Sequence, residues 1–336
     1  MRAPDFWQPS GVDHPAARLL APLSMAYRAV GALREALIEP ARAAVPIICV
    51  GNIVAGGAGK TPTALALAQL ARELGGTPHF LTRGYGGRER GPLRVEPNRH
   101  DAQAVGDEAL LLASEAPTWL APDRVAGATA AVAGGAGLVI MDDGLQNPTL
   151  AKDLSFVVID GGFGFGNGRV LPAGPLREPI SRGLARADAL VLIGPDRVGI
   201  ANRIRSATPP LFAAELVPGP EALRLRDQPI VAFAGIGRPA KFFETLEAIG
   251  AVLIERHGFA DHHRYSPDEI MRLCEAASRH GGRPVTTAKD YVRLPPEARL
   301  MVDVLSVDLE WREPMALRAL LAPLVERSRH RVADHG

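Results

Sequence analysis

From residue 46 to residue 193 the chain alternates short, wholly apolar runs with stretches whose apolar residues recur every three or four positions. Runs at 46–50, 77–82, 138–141, 156–160 and 189–193 read as strands, and the periods at 61–74 and 108–116 as helices. A strand apolar on both faces must be covered on both faces. The pattern therefore predicts a mostly parallel sheet flanked by helices. Near 215–229 the composition shifts to Pro, Gly and charge, as in an interdomain connection. A second, smaller α/β unit follows, with strands at 229–236, 284–287 and 301–307 and helices at 240–249 and 315–326. Within it Ser266, Pro267 and Glu269 form a capping box that opens another helix. The polar tail from Arg327 is expected to fray.

Two apolar stretches raise the question of a membrane. Residues 125–141 carry no charge, but Gly127, Gly134, Gly135 and Gly137 divide them into a helix end, a turn and a strand. At 15–39, Leu20, Leu23, Tyr27, Val30, Leu33 and Leu37 recur near helical spacing, with Arg18, Arg28 and Arg34 among them. Neither stretch reaches the ~20 uncharged residues of a spanning helix. The amphipathic helix at 15–39 fits either the protein's own core or a membrane surface plane. The expected division is then 1–45 for this helix region, 46–215 for the core and 216–336 for the smaller unit, whose last helix is able to pack back on the core.

Composition narrows the picture only modestly. A net charge of +1 over 336 residues gives no electrostatic reason for a nucleic-acid partner. Cys49 and Cys274 lie far apart, without metal-ligand spacing, and fit a reducing, cytosolic setting.

The chemistry concentrates in two motifs. Gly51-Asn-Ile-Val-Ala-Gly56-Gly57-Ala58-Gly59-Lys60-Thr61-Pro62 lies between a strand and a helix, the setting of a P-loop. Glycines let successive N–H groups turn inward, and the helix start adds positive partial charge for phosphate. Lys60 is placed to reach the β- and γ-phosphates, and Thr61 to ligate Mg²⁺. Val54 stands where the general pattern has a glycine. The second motif is Asp142-Asp143-Gly144-Leu145-Gln146, where an apolar strand ends in two carboxylates. Their mutual repulsion favours a cation, with Gln146 a further candidate to orient its water or the acceptor. Either aspartate is able to hold it directly.

These residues, with Phe6-Trp7, Arg83-Gly84-Tyr85, Gly106-Asp107-Glu108, Pro172-Ala173-Gly174-Pro175-Leu176-Arg177-Glu178, Phe259-Ala260-Asp261-His262-His263 and Thr287-Ala288-Lys289-Asp290, make the chain resemble the tetraacyldisaccharide 4′-kinase (lipid A 4′-kinase) family over nearly its whole length. The family's own P-loop lacks the early glycine, whereas Ala288 departs from its usual T-E-K-D. The resemblance implies ATP-dependent phosphorylation of the 4′-hydroxyl of an acylated disaccharide 1-phosphate, giving lipid IVA at the cytoplasmic side of the inner membrane. It implies Asp107 and His262 as a catalytic dyad, and Arg177 and Glu178 as residues near the nucleotide. Arg83 either binds phosphate or shapes its turn. A substrate with four acyl chains stays in the bilayer, which favours membrane contact for the helix at 15–39, and a base assembled from two units implies closure over the nucleotide. No protein partner is implied.

Two other readings compete. A P-loop GTPase or metal-insertion chaperone commonly selects guanine with N-K-x-D, but Lys289 and Asp290 are adjacent and no cysteine cluster is present. A nucleotide-gated membrane-binding module would bind ATP and vesicles without transferring phosphate.

Overall fold

The computed structural model describes residues 4–204 and 209–333. The strands, in chain order, are β1 (Ile47–Gly51), β2 (Pro78–Thr82), β3 (Leu93–Val95), β4 (Thr118–Leu120), β5 (Leu138–Asp142), β6 (Leu154–Asp160) and β7 (Ala189–Ile193). After these come β8 (Leu211–Pro218), β9 (Pro229–Ala234), β10 (Val252–Gly258), β11 (Arg283–Thr287), β12 (Asp303–Leu305) and β13 (Val307–Trp311). They form a nine-stranded sheet ordered β13-β8-β7-β6-β1-β5-β2-β4-β3 and a four-stranded sheet ordered β10-β9-β11-β12. The large sheet is parallel from β8 through β4, with an antiparallel strand at each edge. The small sheet is parallel throughout. The α/β expectation of a mostly parallel sheet with a smaller second sheet holds.

The all-apolar runs are central strands: β1, β2, β5 and β7 are buried at every position. The helix Lys60–Glu73 lays Thr63, Ala64, Leu67, Ala68, Leu70 and Ala71 against one face of the large sheet. Small residues at that contact let the helix lie close to β1, which fixes the height of the loop joining them. The strand β1 sits between β5 and β6, and β2 lies beyond β5. Chain order thus runs both ways from β1, and in an open α/β sheet ligands bind at the carboxyl edge of such a switch point.

Two stretches differ from expectation. Residues 215–218 belong to β8, not to a connection. That strand is only partly covered and ends in Pro218, so its composition looks like a loop. The single strand expected at 301–307 is the end of one strand and the start of another in different sheets, β12 and β13, split at Ser306. There the chain passes back from the small sheet to the large one. Gly219 N donates to Ser306 O at 2.9 Å, so the outgoing and returning crossings are tied together. The last helix, Pro314–Ala333, buries Leu317, Leu321, Leu324 and Val325 in the large-sheet core. It continues past Arg327, where fraying was expected. Ser328 is buried and Arg327 lies 3.8 Å from Asp153.

The N-terminal segment forms helices Pro15–Leu19 and Ala21–Ala36. It touches the body through polar groups. Ser24 Oγ donates to Val170 O at 2.7 Å and accepts from Ala173 N, while Glu35 meets Arg182 and Arg186. Ala17 is buried, but most of the segment's larger apolar side chains stay out: Leu19, Leu23, Met25, Val30, Leu33 and Leu37 are each more than half exposed. A helix built to pack on its own core would show the reverse. Among the described residues no helix is long and apolar enough to cross a membrane.

Candidate active site

The loop 52–59 leaves β1 at the switch point and enters the helix Lys60–Glu73 through Gly59, whose φ of 89° is left-handed. Gly56 also has positive φ. Asn52 is fully buried and donates to Gly56 O at 3.2 Å, closing the loop on itself. Lys60 Nζ reaches the same carbonyl at 3.3 Å, so the ammonium folds back over the loop. Ala58 is buried beneath, and Gly57 has open space around its missing Cβ.

Val54 stands where a flexible glycine was expected for a physical reason. It forms an antiparallel bridge with Leu176, flanked by Ala55 N donating to Pro175 O and Arg177 N donating to Ile53 O, both at 2.7 Å. The first half of the loop is a short strand clamped by residues 175–177 and has no turn to make. At Gly59 the freedom is needed: an added Cβ would lie 2.4 Å from Ile193 Cδ1 on a left-handed backbone. Gly59→Ala should cost about 1–2 kcal/mol from the backbone alone, read as a lower denaturant midpoint.

Asp142 ends β5 and is 2% exposed. Its Oδ2 accepts from Thr61 Oγ1 at 3.1 Å, while its Oδ1 is buried without a hydrogen-bond partner among the described residues. Burial, with the nearby Glu108 and Asp143 carboxylates, pushes its carboxyl up to about 7 against the pull of Lys60. An unpartnered buried carboxylate oxygen beside a hydroxyl is a donor set that suits a hard cation. Among the described residues no group of three or more His, Cys, Asp or Glu is arranged to hold a metal by itself. A cation here would take its remaining ligands from water and phosphate, the habit of Mg²⁺ in nucleotide sites.

Asp143, at φ 52°, points elsewhere. Arg177 Nη1 bonds it at 2.8 Å and Lys60 lies 3.9 Å away. Burial raises this carboxyl, but Lys60 and Arg177 hold it below the usual carboxylate range. The two adjacent aspartates thus shift in opposite directions: burial and like charge raise one, and two cations hold the other down.

Gln146 and Glu178 sit behind the loop. The Gln146 amide donates to Asn52 O at 2.9 Å and Glu178 Oε1 at 2.8 Å, and accepts from Arg177 at 3.3 Å. Glu178, nearly buried, takes Arg186 on its other oxygen. Both side chains are occupied in bracing Asn52 and Arg177. Arg83 lies 5.6 Å over the Tyr85 ring, and its charge reaches Asp143.

The second unit brings His262 to Asp107 of the first. Asp107 opens the helix Asp107–Ala113 after Gly106, is 3% exposed, and its Oδ2 lies 3.0 Å from His262 Nδ1. His262 has φ 59°, a conformation uncommon outside glycine that His tolerates better than most, and its N–H donates to Gly235 O at 3.0 Å. Burial pushes the Asp107 carboxyl up, but the His262 hydrogen bond and the charges of Lys289 and Arg293 bring it below its usual value. It is an anion and can only accept, so Nδ1 carries the shared hydrogen. Lys289 meets Glu108 at 3.3 Å. On another flank Asp160, at the end of β6, bonds Arg238 and lies 3.6 Å from Lys241.

Residues 287–290 acquire a role here. Thr287 caps the turn Ala288–Tyr291, and buried Asp290 accepts from Gly235 N at 2.9 Å and Tyr265 OH at 2.7 Å, bracing the backbone that carries His262. Two arginines escaped the sequence reading. Arg293 bonds Asp107, and its one sequence signal is the i,i+3 spacing from Asp290. Arg124, almost fully buried, lies within the fields of Asp142 and Asp143, and burial brings its guanidinium down to about 10. Nothing in the local sequence marks it.

The family described as tetraacyldisaccharide-1-P 4′-kinase matches residues 16–326. A protein of Paramagnetospirillum magneticum named tetraacyldisaccharide 4′-kinase is 55% identical over 97% of this chain and 98% of its own length. One of the same name from Rhodospirillum rubrum is 52% identical over 97% and 98%. The solved structure of LpxK from Aquifex aeolicus in complex with ATP superposes with a TM-score of 0.73 at 26% identity, covering 92% of this chain and 99% of that one.

Proposed function

The chain belongs to the tetraacyldisaccharide 4′-kinase family, and on that footing we propose that the P-loop, Asp142 and the Asp107–His262 pair form one active site for phosphoryl transfer. The protein is an ATP-dependent kinase that phosphorylates the 4′-hydroxyl of a tetraacyldisaccharide 1-phosphate in lipid A biosynthesis. The observation that carries the site is the 3.0 Å contact between Asp107, on the P-loop unit, and His262, on the other. Glu108, the next residue, raises the Asp142 carboxyl by its charge, which supports a shared space for the pair and the P-loop.

Each residue then has a chemical task. The backbone N–H groups of 56–61 and Lys60 hold the terminal phosphates of ATP. Thr61 and Asp142 would hold Mg²⁺, which neutralises charge developing on the β- and γ-phosphate oxygens. Arg177, already on Asp143, adds positive charge at the edge of the loop. His262 Nε2 accepts the proton of the sugar hydroxyl as its oxygen meets phosphorus, and Asp107 stabilises the imidazolium that results. A guanine-selecting or metal-delivering role finds no support in these residues or relatives.

The exposed apolar side of residues 19–37 supports an interfacial position at the inner membrane, on the cytoplasmic side where ATP is available. Mass spectrometry of the lipid after incubation with ATP and Mg²⁺ tests the function. One added phosphate at the 4′ position is expected, and free phosphate with an unchanged lipid would overturn it.

The Asp142 carboxyl gives a further expected result. A ligand that needs its anion must displace a proton wherever that carboxyl is protonated, below about pH 7. Titrating the protein with MgATP at pH 6, in buffers of different ionisation heat, should therefore show proton release. In Asp142→Asn it should vanish.

A further inference from the structure

Arg293 follows the turn Ala288–Tyr291 on the second unit, yet its guanidinium bonds a residue of the first. Its side chain is 5% exposed. Nε lies 3.1 Å from Asp107 Oδ2, the same oxygen that takes His262 Nδ1. Nη1 lies 3.1 Å from Asp290 Oδ1 and donates to the carbonyls of Gly235 at 3.0 Å and His263 at 3.3 Å. Gly235 O also accepts the His262 N–H. One guanidinium therefore grips both the carboxylate that orients the imidazole and the backbone on either side of it.

We propose that Arg293 is a positioning residue for phosphoryl transfer, assembling the Asp107–His262 pair across the two units and setting the electrostatics that keep the imidazole free to accept a proton. The proposal rests on His262 as the base. Geometry supplies the first half, because Asp107 and His262 have no shared element and meet only where Arg293 joins their supports. Charge supplies the second. From the first unit the pair is faced by Glu108 and the Tyr85 ring, and from the second by Asp261, 3.9 Å from Nε2, with Lys289, Asp290 and Arg293. A nearly buried carboxylate holds a neighbouring imidazole in its charged form unless another cation shares the carboxylate's field. Arg293, on the same oxygen, is that cation. An arginine that only fastened the two units would have no such effect.

The test compares Arg293→Gln and Arg293→Lys with the wild-type chain, using a detergent-solubilised tetraacylated disaccharide 1-phosphate and MgATP. In Arg293→Gln, kcat should fall about 10–100-fold with KM for ATP within about twofold. The acid limb of its kcat/KM profile should move to higher pH by about one unit, since the unshared Asp107 charge keeps the imidazole protonated longer. Arg293→Lys keeps the charge without the fork, so its limb should stay in place while kcat falls roughly 5-fold or more. An unmoved limb in Arg293→Gln, or wild-type kcat in either variant, overturns the proposal. If Arg293→Gln does not fold, the lysine variant decides alone, and a displaced limb or undiminished kcat there is the contrary result. His262→Ala, measured alongside, separates the two levels: undiminished kcat in that variant means the base is misassigned.

Discussion

His262→Ala is expected to lower kcat by about 10²–10⁴-fold while leaving ATP affinity unchanged. The asymmetry follows from where the residue comes from. His262 lies on the second unit with Nδ1 committed to Asp107, and its other polar contacts among the described residues are to Asp261 and the Gly235 carbonyl rather than to the phosphate-binding loop. A sugar hydroxyl is a weak nucleophile at neutral pH, so losing the base raises the barrier to chemistry and not to nucleotide binding. Asp107→Asn should have an effect of the same order by a different route. An amide at 107 presents either a donor or a weaker acceptor to Nδ1, loosening the tautomer that leaves Nε2 free. Calorimetry of ATP binding beside steady-state kinetics checks both variants. A parallel loss of affinity and rate in His262→Ala would put the histidine at the nucleotide instead.

The second large effect is expected at Asp142, and it has two signs. Asp142→Asn should reduce phosphoryl transfer by about 10³-fold, since the buried anion beside Thr61 is the strongest candidate to hold the cation that clamps the phosphates. The same substitution should stabilise the ligand-free protein. The folded carboxyl is raised to about 7, well above its value in an unfolded chain. Folding therefore favours the protonated form, and ionisation costs stability progressively as pH rises from about 4 to about 7. The asparagine variant escapes that cost. The difference in melting temperature, variant above wild type, should open across that window and stay constant above it. Sites that keep an uncompensated charge for a ligand trade stability for function in this way. A variant no more stable than wild type at pH 8 would mean that a cationic side chain of the protein, such as Arg124 or Lys60, already neutralises Asp142 without a bound metal.

What could be read from the chain depended on distance along it. The phosphate-binding loop is contiguous, and its strand–glycine–helix grammar fixes both backbone and charge. The acidic pair was legible because an apolar run ends in it. The division of labour between the two aspartates was not, since it arises from Arg177 and Lys60 closing on Asp143 and from Glu108 approaching Asp142. Val54 looked like a departure because its partner, Leu176, lies far along the sequence. Gln146, a candidate to orient a water or the acceptor, and Glu178, a candidate near the nucleotide, have their polar atoms engaged with Asn52, Arg177 and Arg186, as buried carbonyls and guanidiniums need partners. Arg293 was invisible for the same reason. Its meaning comes from Asp107, contributed by the opposite unit. The apolar run at 301–307 disguised a change of sheet, because such a run records a strand and says nothing of which sheet it joins.

The most direct measurement follows the γ-phosphate itself. Labelled ATP, Mg²⁺ and a tetraacylated disaccharide 1-phosphate in detergent should move label into the lipid with the wild-type chain. His262→Ala, still binding ATP, and Asp142→Asn should transfer at most about a hundredth as fast. Label released to water at a rate indifferent to the acceptor, or lipid labelled equally fast by His262→Ala, would contradict a site in which the second unit supplies the base for a nucleotide held by the first.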